Sequence, residues 1–247
     1  MTILIFVLLA ICQISLAQVV NVESRRLNSA RPGWQGGGEV WYSSLRNQSR
    51  QFVFGSRFSM QYAKNQHRYL FIGDAQFSET NGQNIQSQGF IHFRYNEIRS
   101  VRFAWEAFGQ VFYSRQMALY PRFTLGGGPR YRLLNNDSMR IYVGGSLSFE
   151  HERFPDPVQH YSSERLNFYT SVVVSRFKNV SLDWMFLFQP RLFDFSDCRY
   201  QTELRLDVKI SQRFSIRISG NLLFDTRPPA GVPRLFSGTR SGLLFDF

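Results

Sequence analysis

The sequence predicts an all-β fold, a transmembrane antiparallel up-and-down β-barrel of about 12 strands with both termini on the periplasmic side. Three observations lead there. From about residue 36 to the end, apolar and polar residues alternate in segments divided by turn-type residues. No long stretch has helical periodicity, and after residue 17 no apolar run approaches the length of a membrane-spanning helix. Aromatic residues on the apolar face gather in two bands rather than scattering along it.

The chain opens with MTILIFVLLAICQISLA, residues 1–17, which holds no Lys, Arg, Asp or Glu. An apolar run from Ile3 to Cys12 precedes Ser15-Leu16-Ala17, a small-x-small cleavage pattern, so the segment reads as a secretory signal peptide cut before Gln18. A run of about ten apolar residues is too short for a helix that needs about 20 to span a bilayer. Lipoprotein processing at Cys12 would want a small residue where bulky Ile11 stands. Residues 18–35 then read as a periplasmic segment and 36–247 as the barrel. After cleavage Cys198 remains alone, suited to packing as a small apolar side chain.

The chain carries 29 basic and 18 acidic residues, a net charge of +11. Nucleic acid, anionic lipid and anionic solute all suit such a balance, and export by the Sec route makes nucleic acid the poorest fit. The expected location is the outer membrane of a Gram-negative bacterium, with outer-membrane lipid as the first partner.

The alternation is clearest in YQTELRLDVKI, residues 200–210. Tyr200, Thr202, Leu204, Leu206, Val208 and Ile210 share one face, and Gln201, Glu203, Arg205, Asp207 and Lys209 the other. Twelve such segments run near 36–45, 51–63, 67–78, 88–96, 101–114, 119–134, 139–151, 163–176, 180–191, 199–210, 213–225 and 235–247. Short links alternate with longer ones, the latter at 79–87, 152–162, 192–198 and 226–234. An even strand number with short turns at one end and longer loops at the other is the pattern of an outer-membrane barrel.

A soluble barrel or sandwich with its apolar face inside is the rival fold. The aromatic positions discriminate. Tyr62, Tyr69, Tyr95, Trp105, Tyr131, Trp184 and Phe214 lie on the apolar face near the short turns, and Phe77, Tyr113, Phe149, Phe188 and Phe224 near the longer loops. Two such girdles match the two headgroup layers of a bilayer. Register is equally constrained: turning the tenth strand over would place Arg205 and Lys209 in lipid at about 2–4 kcal/mol each near the midplane.

The chain resembles the YdiY-like salt-induced outer membrane protein family, a domain-of-unknown-function family, in the form common among Bacteroidetes. The resemblance rests on VVNVESRR (19–26), LFIGDAQFSETNGQ (70–83), GFIHFRYN (89–96), WEAFGQVFY (105–113), GGGPRYRLL (126–134), DFSDCRY (194–200) and FDTRPPAGVP (224–233). It implies an outer-membrane barrel whose biochemical role is not established. Cys198 departs from it, standing where the family pattern suggests an aromatic.

Candidates for chemistry are few, and neither cofactor nor catalytic residue is expected. His67 lies at a turn; His151 and His160 border the fourth loop, where Glu150, Glu152 and Asp156 make a weak cation site conceivable and a solvated polar loop the plainer reading. His92 faces the lumen beside Arg94. Lipid hydrolysis would need Ser and His together on the lipid face with an orienting polar residue, and the lipid face as read here shows no His. GGGP at 126–129 lacks the Lys-Ser/Thr of a phosphate loop and sits inside a strand, where glycines permit a kink or close approach.

The lumen is the remaining candidate, with Arg122, Arg130, Arg132, Arg140, Arg205 and Arg217 as its marked positions. Twelve strands fall between eight, filled by side chains, and sixteen, which leave a channel. Mixed-sign charges then either plug the barrel as a salt-bridge network, the preferred reading, or line a narrow anion-biased path. Loop binding through the links 79–87, 152–162 and 226–234, the last two stiffened by Pro, is a third reading. At the end of the chain, SGLLFDF (241–247) alternates Ser241, Leu243, Phe245 and Phe247 onto lipid, and the last strand must pair with the first to leave no open edge in hydrocarbon. Phe247 completes the short-turn girdle and resembles the signal read by the barrel assembly machinery.

Overall fold

The structure, a computed structural model, describes residues 32–46, 50–81, 83–115, 117–155, 158–177 and 179–246. The expected signal peptide, most of the 18–35 segment and Phe247 lie outside the described residues.

Twelve antiparallel strands close into one barrel. They are β1 (Gly33–Arg46), β2 (Arg50–Lys64), β3 (His67–Thr80), β4 (Gln83–Ile98), β5 (Phe103–Ser114) and β6 (Leu119–Asn135), followed by β7 (Met139–Pro155), β8 (Val158–Phe177), β9 (Val180–Arg191), β10 (Asp194–Lys209), β11 (Phe214–Asp225) and β12 (Leu235–Asp246). Each pairs with its neighbours in sequence, and β1 closes on β12 through Gly37 opposite Asp246 and Val40 opposite Leu243. No backbone edge is left open, which hydrocarbon demands.

The inside-out pattern is literal. Leu204 is 50% exposed on the outer face while its neighbour Glu203 is 2% exposed within. Outside, rings stack from strand to strand. At the short-turn end Trp34 meets Tyr62 at 4.8 Å, Tyr62 meets Tyr69 at 6.3 Å and Tyr69 meets Tyr95 at 5.3 Å. Trp105, Tyr131, Trp184 and Phe214 are also exposed on that face. Toward the other end Phe168, Phe188, Tyr200 and Phe224 form a second chain, with centroids 6.4, 5.0 and 6.2 Å apart.

Several boundaries differ from those read in the sequence. β1 begins at Gly33, not 36, which brings Trp34 out of the expected periplasmic segment and into the girdle. Much of the long links expected at 79–87, 152–162 and 192–198 is instead strand: β3 runs on to Thr80 and β4 starts at Gln83, β7 runs on to Pro155 and β8 starts at Val158, and β9 runs on to Arg191 and β10 starts at Asp194. In these segments polar residues occupy successive positions, so the alternation fades while backbone pairing continues. Among the described residues the 226–234 link remains long at that end; its base closes through Asp225 N–H to Arg234 O at 2.8 Å.

Candidate functional site

The lumen is where charge concentrates, because period two turns every second residue of each strand inward. On β5, Glu106 points in between outward Trp105 and Ala107. It accepts hydrogen bonds from Asn96 Nδ2 at 2.5 Å, Arg94 Nη1 at 3.2 Å and the Tyr169 hydroxyl at 2.8 Å, and Arg130 Nη1 lies 3.6 Å away. Arg130 Nη1 also donates to the Tyr169 hydroxyl at 3.0 Å. Tyr169 stands on β8, so this layer reaches across β6 and β7. Glycine permits the reach: a Cβ at Gly144 would overlap the Tyr169 ring, and one at Gly128 would collide with the backbone of Gly145. The expectation that GGGP serves close approach is thus met by geometry. His92 extends the layer, accepting from Arg94 Nε at 3.2 Å with its Nδ1 3.3 Å from Gln110 Oε1.

Two further networks fill the barrel. Arg199 donates to Glu150 at 2.7 Å, Glu152 at 2.8 Å and Asp225 at 3.0 Å, while Arg165 pairs with Glu150 at 3.4 Å and Asp197 at 2.7 Å. Arg122 Nε joins through Glu152 at 2.6 Å. Near the closing strands, Glu39 lies between Arg57 at 3.2 Å and Arg217 at 3.4 Å; Arg57 also pairs with Asp74, Arg217 with Asp207, and Arg205 with Asp183. Such networks hold together because removing one buried partner strands the other, at about 3–5 kcal/mol.

Toward the 226–234 end an apolar cluster occupies the lumen: Phe90, Phe112, Met117, Leu119, Leu223 and Phe236, with Val232 of the link packed on it. Alternation could not announce these residues, since apolar side chains face both ways in this part of the barrel. Between this cluster and the Glu106 layer lies a cavity of about 130 Å³, bordered by His92, Glu106, Tyr169, Arg199 and Pro229. On the other side of the layer, at the short-turn rim, lies a cavity of about 600 Å³ bordered by Arg130 and Asn96.

Of the arginines marked in the sequence, Arg130, Arg205 and Arg217 are buried inside ion-pair networks and Arg122 sits in the Arg199 network. Arg132 and Arg140 stand apart, lining the rim cavity. The lumen positions marked in the sequence leave out Arg199 and Glu39, which lie in segments read as strand, and Asp197 and Glu152, which lie in segments read as loop, Glu152 there as a conceivable cation ligand. Continued alternation from Glu203 back through Gln201 to Arg199 was the available signal.

The conceivable cation site does not assemble. Glu150 and Glu152 turn inward to Arg199, whereas His151 on the same strand faces out; Asp156 lies outside the described residues. Among the described residues no cluster of three metal-ligating side chains occurs. His151 lies on the outer face but beyond the apolar band, so it is not one of the lipid-facing positions at which the sequence shows no His. Its Nδ1 is 2.9 Å from Ser162 Oγ and its Nε2 is 3.4 Å from His160 Nδ1, on the outer face beyond exposed Phe149. Among the described residues no carboxylate bonds either imidazole. Cys198 is buried, its Sγ donating to Phe195 O at 2.8 Å.

A family model described as "Protein of unknown function, DUF481" matches residues 42–247. No curated protein sequence matches the chain. Among solved structures, a NanC porin aligns with a TM-score of 0.53 and 7% identity, covering 85% of this chain and 98% of that one. A KdgM porin aligns at 0.46 and 7% identity, over 87% and 99%. The translocator domain of autotransporter NalP from Neisseria meningitidis aligns at 0.47 and 9% identity, over 90% and 91%. At such identity the likeness to NanC speaks for a shared porin-type fold alone.

Proposed function

We propose that this protein, which belongs to the DUF481 family of unknown function, is an outer-membrane barrel held closed by its own lumen and serving a structural role, with its short-turn rim in the periplasm. The observation that carries the reading is the Glu106 layer, which spans from β4 to β8 and stands between the two lumen cavities. The apolar cluster under Val232 supports it as a second barrier, since charged and hydrated solutes do not cross a dry apolar packing cheaply. The apolar outer face, the two aromatic girdles and the porin-type fold support placement in the outer membrane. Handover to the barrel assembly machinery through Phe247 is part of the same reading.

A narrow anion-biased channel is the second reading, favoured by the arginines that line the rim cavity. Solute exchange separates the two. Liposomes carrying the folded barrel should retain small sugars and chloride as protein-free liposomes do; selective loss of anions would replace the closed barrel with the channel. Placement is tested by fractionation, with the prediction of a heat-modifiable band in the outer-membrane fraction and of none in the soluble fraction.

A further inference from the structure

We propose that the short-turn rim of the barrel holds a binding site for the phosphate of a small phosphorylated solute, gathered by Arg102, Arg132 and Arg140 with Arg68 beside them. The contrast with the rest of the lumen is the starting point. Inward arginines elsewhere, among them Arg57, Arg94, Arg165, Arg199, Arg205 and Arg217, each have a carboxylate within ion-pair distance. Arg68, Arg102, Arg132 and Arg140 border one cavity and form no ion pair among the described residues. Among the described residues Asp137, on the β6–β7 turn, is the one carboxylate bordering that cavity, so these four arginines leave a local excess of three positive charges.

Arg132 and Arg140 also have unspent donors. Their Nε atoms are buried and, among the described residues, without a hydrogen-bond partner, a condition that is unfavourable for an ordinary polar group and more so for a charged one. A bound oxyanion would satisfy them. Tyr142 helps to hold the cluster in place, with the Arg130 guanidinium 4.1 Å and the Arg132 guanidinium 5.9 Å from its ring centroid. Arg68 Nη1 is likewise fixed, donating to the carbonyls of Asn65 at 2.9 Å and His67 at 3.0 Å.

Guanidinium forks match carboxylate and phosphate alike, and charge chooses between them. A phosphate monoester brings close to two negative charges against the excess of three, where a carboxylate brings one. Size argues for more than bare phosphate. The cavity of about 600 Å³ far exceeds one water's share of about 30 Å³, leaving room for an organic body beside Asn135, Ser171 and Val173. The site opens between the β4–β5 and β6–β7 turns, contributed by Ser100, Val101, Asn136 and Asp137, so a solute reaches it without crossing the Glu106 layer. The same phosphate chemistry could arrive free in solution or on a lipid headgroup.

Calorimetric titration of the folded protein in zwitterionic micelles with glucose 6-phosphate tests the assignment, with gluconate and inorganic phosphate as companion probes. The expected result is saturable binding of glucose 6-phosphate, competition by inorganic phosphate, and gluconate at least tenfold weaker. The double variant Arg132→Gln, Arg140→Gln should weaken glucose 6-phosphate at least tenfold and Arg102→Gln severalfold, while Arg213→Gln, exposed on another turn of the same rim, should leave it unchanged. Heat-modifiable migration establishes that each variant is folded, and Arg102→Gln, on an exposed turn, carries the test if the double variant is not. Repeating the titration in phosphatidylcholine vesicles with and without phosphatidic acid identifies the source: competition by phosphatidic acid assigns the lipid headgroup, and its absence assigns the free solute. Equal binding by wild type and the arginine variants, equal loss in Arg213→Gln, gluconate as tight as glucose 6-phosphate, or no binding at all would each overturn the proposal.

Discussion

Glu106→Ala is the perturbation that probes the lumen layer most sharply. The carboxylate accepts from Asn96, Arg94 and Tyr169 and lies 3.6 Å from Arg130. Glu106, Arg94 and Arg130 are all buried. Alanine would leave two guanidiniums facing one another without their shared anion, and breaking a buried pair in this way costs about 3–5 kcal/mol. Glu106→Gln keeps a hydrogen-bond acceptor for Tyr169 and loses only the charge, so its cost should be smaller. Chemical unfolding in lipid vesicles, followed by tryptophan fluorescence, measures both. A loss of less than about 1 kcal/mol for Glu106→Ala would refute the reasoning, since that is the size of an exposed ion pair's contribution. Equal losses for alanine and glutamine would locate the effect in charge alone and remove the hydrogen-bonded layer from the argument.

Three further outcomes are expected. Ile218→Arg, on the outer face midway along β11, should cost about 2–4 kcal/mol in the same unfolding assay, whereas a value near zero would mean that the face is not in lipid. Deleting Phe247 should lower the heat-modifiable folded fraction in cells while leaving refolding in detergent intact; unchanged assembly would remove this residue from the handover. Ser162→Ala and His151→Ala should leave the phospholipid and lysophospholipid content of the membrane as in wild type, and a lysophospholipid level that falls in both variants would convert the outer Ser162–His151 pair from a polar surface contact into a catalytic one.

Much of this architecture is written in the strands that cross the apolar band. There one face must be apolar and the other polar, so residues 200–210 and 214–225 disclose their register directly. The legibility ends where the alternation does. Gln83–Ser87 and Val158–Ser162 continue as strand through hydrogen bonds that leave no periodic trace where polar residues occupy successive positions. The interior is harder still. Arg130 and Arg205 were readable as inward cations, but their partners come from other strands: Glu106 lies 24 residues from Arg130, and Arg199 meets Glu150 across β8 and β9. No local spacing predicts that Tyr169 will cross to Glu106, because the reach depends on Gly144 clearing its path. Phe90, Phe112 and Leu223 were hidden for a different reason: they are apolar residues at inward positions, and only closure of the barrel shows that they pack on one another.

The most direct test of the closed lumen is single-channel recording from the folded protein in planar bilayers. With both barriers in place, the Glu106 layer and the apolar cluster under Val232, the trace should stay at the baseline of the protein-free bilayer across moderate voltages. Steady, anion-selective steps from wild-type protein would contradict the account.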